Sequence, residues 1–313
     1  VFFLVISVFT INNNSELLII CFLFIFSSVF NLKSFFYAFN GLKTITIVNS
    51  ITKLVYCILV FIFIKSQEDL LLFAIINISS HISLSLILFI IAIKKYKLKF
   101  DFSNLRTNRN IFIIKESYNS FISNLAVSLY GTTNTFVLGL FGSPYNVGVF
   151  SVTEKIYTAL TSLITSSNYV LYPKLITLFN VKNFFLASFR KIEFVYFLVI
   201  MFSVVILFVF KFSILEYLNL ENSEVSNNYY NLFNVALFFS PLGALYTRTF
   251  LVLGISKKLV HVTMMGFAIN TLILTILVSF EFFNIFPLCV VITQAYIASK
   301  KRRVVFKEIK KQC

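Results

Sequence analysis

Long apolar runs alternate with short polar gaps along almost the whole chain. After a polar gap at 11–16, the runs lie at about 17–36, 46–64, 70–93, 118–141, 147–173, 192–213, 229–253, 258–280 and 283–299. Each approximates the ~20 residues a helix needs to cross a hydrocarbon core. A lipid-exposed segment must satisfy its own backbone hydrogen bonds, and a helix does so internally. The pattern therefore predicts nine membrane-spanning helices. Residues 1–10 are a further apolar run too short to cross, read as the end of a helix that begins before Val1. Gly142, Ser143, Pro144 and Asn146 predict a tight turn. Glu281, Asn284 and Pro287 divide the last two runs, and Pro287 suits a helix start, where its missing N–H is unpaired anyway.

Charge in the gaps orients these helices. Segments 33–45, 94–116, 174–191, 254–258 and 300–311 hold 22 of the 27 Lys and Arg and net +19. The alternate gaps 11–16, 65–69, 142–147, 211–228 and 280–285 net −5. Basic loops stay on the cytoplasmic side, so the first set is expected there, with the C-terminus. The expectation is a multi-pass protein of a bacterial inner membrane. Its net charge of +15 then reflects topology and not a nucleic-acid partner.

Composition agrees. The chain is 58% apolar and only 12% charged, against about a quarter charged in soluble domains. Four cysteines, Cys21, Cys57, Cys289 and Cys313, show no paired spacing, and no metal-ligand cluster, phosphate-binding glycine loop or nucleophile–base set appears. Neither cofactor nor enzymatic activity is expected. The longest basic loop, 94–116, is the natural boundary between two helical bundles. The organisation expected is a first lobe to residue 95, a linker at 96–110, a second lobe at 111–299 and a basic tail at 300–313.

Polar residues inside the runs carry the functional reading. Spacing of four stacks Asn77, His81 and Ser85 on one helix face, and likewise Asn49, Lys53 and Cys57. Ser120, Asn124, Ser128 and Thr132 form a third stripe. Such stripes either glue helices together or line a wet passage. Lys53 lies eight residues deep, ~12 Å along the helix axis, which favours a cavity position. Arg248 is five residues from the basic end of its run, where its stem can snorkel. Glu154 and Lys155 are adjacent and point about 100° apart, so they form no good mutual pair. His81 near mid-span is either a neutral hydrogen-bonding group or a titrating one.

Two stretches resemble a known family. Phe35-Phe36-Tyr37-Ala38-Phe39-Asn40-Gly41-Leu42-Lys43 is similar to the aromatic "FQGLEKM" turn of bacterial O-antigen repeat-unit flippases (Wzx-type), with Asn40 for Gln and no acid. Ile122 to Lys155, ISNLAVSLYGTTNTFVLGLFGSPYNVGVFSVTEK, resembles that family's "ISTLAISLYTTSNTFILG…VGYYSAAEK", and Leu171-Tyr172-Pro173 its "LYP".

The resemblance implies an all-α, two-lobed exporter of twelve helices, in the multidrug/oligosaccharidyl-lipid/polysaccharide exporter superfamily, with residues 1–10 ending its third helix. It further implies transport of an undecaprenyl-pyrophosphate-linked glycan from the cytoplasmic to the periplasmic leaflet by alternating access. A polysaccharide polymerase and a chain-length regulator are the partners this implies. Lys53, Lys155 and Arg248 are then expected to attract pyrophosphate, Asn124 and Ser128 to bind sugar hydroxyls, and Glu154 or His81 to carry a coupling proton. A peptidoglycan-precursor flippase or a multidrug exporter stays open as an alternative. A membrane polymerase fits less well, because the longest acidic gap, 211–228, carries no cluster to build a site.

Overall fold

The computed structural model describes residues 27, 30–39, 41–66, 69–96, 108–180, 182–218, 220 and 223–312. Most of the expected first span and of the 96–110 linker, the 1–10 remnant, Cys21 and Cys313 lie outside these residues. The chain folds as two compact units, Val1–Leu105 and Arg106–Cys313. The described residues are helical throughout apart from turns and connectors. The chain is an all-α polytopic membrane protein. Among the described residues, five stretches, Leu42–Phe63, Leu71–Tyr96, Phe185–Val209, Glu224–Val252 and Ser256–Ser279, are long and apolar enough to cross a membrane.

The first unit contains α1 (Lys33–Ala38), α2 (Leu42–Phe63) and α3 (Leu70–Tyr96). Ile45 and Val48 near the start of α2 pack with Leu84, Leu88 and Ala92 near the end of α3, so the two helices run antiparallel. The α1–α2 turn shows why its glycine is needed. Gly41 N–H donates to Phe36 O at 2.7 Å. A Cβ at Gly41 would meet the Phe36 ring at 2.8 Å, closer than packed atoms tolerate. Phe35, Phe36, Phe39 and Tyr96 then close the turn as an aromatic cluster. At the other end, Asp69 accepts from the Lys65 and Ser66 amides, both at 2.9 Å. These bonds hold its carboxyl below the ordinary range.

The second unit comprises α4 (Asn108–Phe141), α5 (Pro144–Ser166), α6 (Asn168–Asn180), α7 (Lys182–Val209), α8 (Lys211–Tyr217), α9 (Glu224–Val252), α10 (Ser256–Ser279) and α11 (Leu288–Gln312). A short 3-10 turn, Phe283–Ile285, precedes α11. Helix α5 begins as its residues dictate. Ser143 accepts from the Asn146 amide at 3.2 Å and Pro144 takes the first position, a pairing that satisfies one free donor and needs none from proline.

Two expectations change here. The run expected as one span at 147–173 is broken at Ser167 into α5 and α6. The segment 300–313, expected as a tail, instead continues α11 through Gln312, with Val305 and Ile309 fully buried. Val305 and Ile309 are four residues apart, which stacks them on one face.

Helix α9 is the centre of this unit. Tyr229, Phe233 and Leu237 on its first half join an apolar cluster with Phe150 and Phe286. Tyr246 and Phe250 on its second half join another with Phe185, Phe189 and Val305. Between the two clusters α9 carries Ser240, Pro241, Gly243 and Ala244. Proline gives no amide to the Leu237 carbonyl one turn back, and the small residues leave space against α11. A polar cavity opens there.

Candidate functional site

The cavity lies wholly within the second unit and has a volume of about 520 Å³. Helix α4 contributes Ser120, Asn124 and Tyr130. The start of α6 contributes Asn168 and Tyr169. Helix α9 contributes Ser240, Thr247 and Arg248, and α11 contributes Gln294 and Lys301. Gln294 Nε2 donates to the Tyr130 hydroxyl at 3.2 Å, joining α11 to α4. Lys301 Nζ donates to Thr247 Oγ1 at 2.8 Å, joining α11 to α9. The Arg248 guanidinium sits 5.0 Å from the Tyr169 ring centre, a cation–π contact that orients the charge without neutralising it.

Charge balance singles this cavity out. Beside it, Arg302 Nε pairs with Glu193 Oε1 at 2.7 Å, and Lys258 Nζ with Glu308 Oε1 at 2.8 Å. Tyr246 also donates to the Glu193 carboxylate. Among the described residues, neither Arg248 nor Lys301 has such a carboxylate. Lys301 is only 5% exposed, and it lies two residues past the last apolar run. Burial pulls its ammonium down to about 8, because charge is disfavoured where water is excluded. A buried cation without a counter-ion is costly. An anion entering the cavity offsets that cost.

A polar seam continues from the cavity toward the Phe150–Phe286 cluster. Tyr157 lies buried beside Ser240, and Glu154 lies beside Thr135. Asn134 on α4 and Thr293 on α11, both fully buried, each carry a side-chain oxygen without a partner among the described residues.

The expected site residues separate into four groups. Arg248 and Asn124 line the cavity together. Glu154 lies half-buried on the seam, whereas Lys155 beside it is exposed, as their angular separation requires. Ser128 is exposed and outside the cavity lining. Thr132 and Thr158 spend their hydroxyls on carbonyls of their own helices, at 3.0 and 2.9 Å, so those stripe positions serve the backbone. Lys53 and His81 belong to the first unit, both exposed, and both lie within electrostatic reach of Lys33. Cys289 is buried and Cys57 exposed.

Lys301, Gln294 and Tyr169 were not singled out in the sequence. The signal existed for Lys301. It stands four residues after Ile297 and four before Val305, so the buried face of α11 runs straight through it.

Residues 1–179 match the family described as polysaccharide biosynthesis protein. The chain belongs to that family. The matched stretch includes the α4 wall of the cavity and its α6 residues Asn168 and Tyr169, while Arg248 and Lys301 lie beyond it. Two curated relatives each carry the name "Putative O-antigen transporter". One, from Escherichia coli K12, is 26% identical over 137 residues, 43% of this chain and 32% of the relative. The other, from Shigella dysenteriae, is 31% identical over 160 residues, 49% of this chain and 39% of the relative. The matches thus span well under half the length of either relative. No solved structure matches the chain.

Proposed function

We propose that this polysaccharide biosynthesis protein is a flippase for repeat units carried on undecaprenyl pyrophosphate. It moves them from the cytoplasmic to the periplasmic leaflet of a bacterial inner membrane by alternating access, with its C-terminus cytoplasmic. The single observation that carries this reading is a cavity whose described lining holds two cations and no carboxylate, and is otherwise rich in amides and hydroxyls. A pyrophosphate needs fixed positive charge to leave water, and sugars need short-range donors and acceptors. Arg248 and Lys301 supply the first, and Asn124, Asn168, Gln294 and Tyr130 the second.

Lys53 and Lys155 act in this scheme as further attracting charges outside the cavity. Glu154 or His81 carries the coupling proton, Glu154 being the one on the polar seam. A polymerase and a chain-length regulator are the expected partners downstream. A peptidoglycan-precursor flippase shares the pyrophosphate chemistry and is separated from this reading by which glycan is exported. A multidrug exporter for cationic compounds is disfavoured by the cavity's sign.

The test is export in a strain whose full-length protein carries Arg248→Ala with Lys301→Ala. Surface polysaccharide should disappear at unchanged membrane level of the protein. Normal surface polysaccharide in that double variant removes the cavity from the transport route.

A further inference from the structure

The break between α5 and α6 has two dissimilar sides. Thr165, Asn168 and Tyr169 face the polar cavity. Ile164, Ser167, Val170 and Leu171, interleaved with them, line a second hollow of about 610 Å³ between this segment and α7. That hollow is almost wholly apolar. Leu163, Val170 and Val195 on its walls are 71%, 65% and 57% exposed, on and beside a helix apolar enough to cross a membrane. It is a lipid-facing groove.

The break itself is held by α7. The Tyr196 hydroxyl, 5% exposed as a residue, donates to Asn168 Oδ1 at 2.7 Å, while Ser167 Oγ donates to Ile164 O at 2.7 Å. Tyr196 thus lies in the groove floor and grips the side chain that lines the cavity behind it. A single helical turn separates the two compartments.

Among the described residues one charge lines the groove, Lys191, at the basic end of α7. It pairs there with no carboxylate. Glu193, two residues on, is turned to the opposite side of α7, where Arg302 and Tyr246 hold it. From Lys191 to Val199 the groove follows α7 for about 12 Å at 1.5 Å per residue. A cation at the mouth of an apolar channel of this kind matches an amphiphile with an anionic head and a hydrocarbon tail.

We propose that this groove is a lipid subsite for the carrier chain: it seats the first isoprenoid units of a polyprenyl phosphate, with Lys191 paired to the phosphate before the head passes the α5–α6 break. The inference rests on reading the polar cavity as the headgroup site. Lys191 is the receiving charge, and Arg248, stacked on Tyr169 just behind the break, is the next one inward. The tail stays on the lipid side throughout, so no apolar chain has to enter the polar cavity.

The test uses the full-length protein in vesicles of phosphatidylethanolamine and phosphatidylglycerol, with a radiolabelled polyprenyl pyrophosphate as probe. A photoreactive p-benzoylphenylalanine replaces Val195 in the groove, or Phe208, an exposed residue of α7 that does not line it. Labelling at position 195 should saturate, resist excess phosphatidylglycerol and exceed labelling at 208. Lys191→Gln should weaken it about tenfold, the size expected for one lost charge-assisted contact of ~1.4 kcal/mol, while Lys191→Arg retains it. Equal labelling at 195 and 208, or displacement by phosphatidylglycerol, makes the groove ordinary annular lipid surface and overturns the proposal. Headgroup binding is followed in the same vesicles with Lys301→Gln. Loss there without loss in Lys191→Gln removes the groove and leaves the cavity reading; the reverse keeps the groove and removes the cavity reading. Elution at the wild-type position in size-exclusion chromatography shows that each variant is folded.

Discussion

Among the described residues, both ends of the second unit are held by buried aromatic clusters, and one of them adds ion pairs. At one end Phe150 is fully buried and meets the rings of Tyr229, Phe233 and Phe286 at 6.1, 5.2 and 5.9 Å, edge to face. At the other, Phe185, Phe189, Tyr246 and Phe250 form a second buried cluster, to which Lys258–Glu308 and Arg302–Glu193 add ties from α11 to α10 and α7, with Lys258 and Arg302 side chains 50% and 59% exposed. Dispersion and apolar burial are lost steeply once rings separate. Exposed ion pairs exchange readily for water and salt. The ring contacts at either end are therefore costly to break, and the ion pairs at the basic end, beside the cavity, cheap.

The largest expected effect breaks the ring contacts of Phe150. Phe150→Ala removes a ring with three aromatic neighbours, a change that costs about 3–5 kcal/mol in comparable cores. Melting in detergent should drop by far more than for Arg302→Gln, which gives up one partly exposed pair worth about 0.2–1 kcal/mol. Equal losses from the two substitutions would mean that ring contacts and ion pairs do not differ as described.

A second effect sharpens the contrast from inside the cavity. Lys301→Met keeps an unbranched side chain and removes a buried cation without a counter-ion. Such replacements are often neutral or stabilising by about 1–4 kcal/mol, so melting at pH 7 should rise while export falls. The pH profile supplies the sign. Folding lowers the Lys301 value to about 8 from 10.5, so the folded state binds this proton less tightly than the unfolded one. Its penalty is present in full below about pH 8 and fades as pH rises toward 10.5. Wild type should accordingly gain on Lys301→Met between those limits. A gap that stays constant with pH would assign the effect to packing alone.

The fold was largely legible because lipid imposes a simple rule on sequence: apolar runs of one length, separated by gaps of alternating charge. What was not legible depended on three-dimensional neighbours. Arg248 read more readily as a snorkelling residue, and Tyr169 of α6 shows which way its charge is held. The α5–α6 break carries no proline or glycine at Ser167 itself; it is stabilised by Tyr196 from α7, nearly thirty residues away. Lys301 was hidden by its company, since Lys300, Arg302 and Arg303 surround it at the end of an apolar run. Periodicity, applied past the end of that run, identifies the one that turns inward. The stripe at Ser120, Asn124, Ser128 and Thr132 was legible only in part: Ser120 and Asn124 line the cavity, whereas the Thr132 hydroxyl satisfies its own helix.

The smallest effect probes the clasp at the basic end. Lys258 Nζ bonds Glu308 Oε1 at 2.8 Å, and Lys311 adds its charge at 3.8 Å. The Lys258 bond, foremost, holds the Glu308 carboxyl below its usual 4.5. Folding thus lowers this value, and the unfolded chain takes up the proton first as pH falls. The pair's stabilisation is complete above about pH 4.5 and is lost as pH drops through the lower folded value. Lys258→Gln should therefore lower melting slightly at pH 7, by the equivalent of about 0.2–1 kcal/mol for a half-exposed pair. The difference should shrink at pH 3 and in 1 M salt, where the screening length falls to about 3 Å. A deficit that persists under both conditions would make Lys258 a packing residue, and its ion pair would then contribute nothing to the basic end.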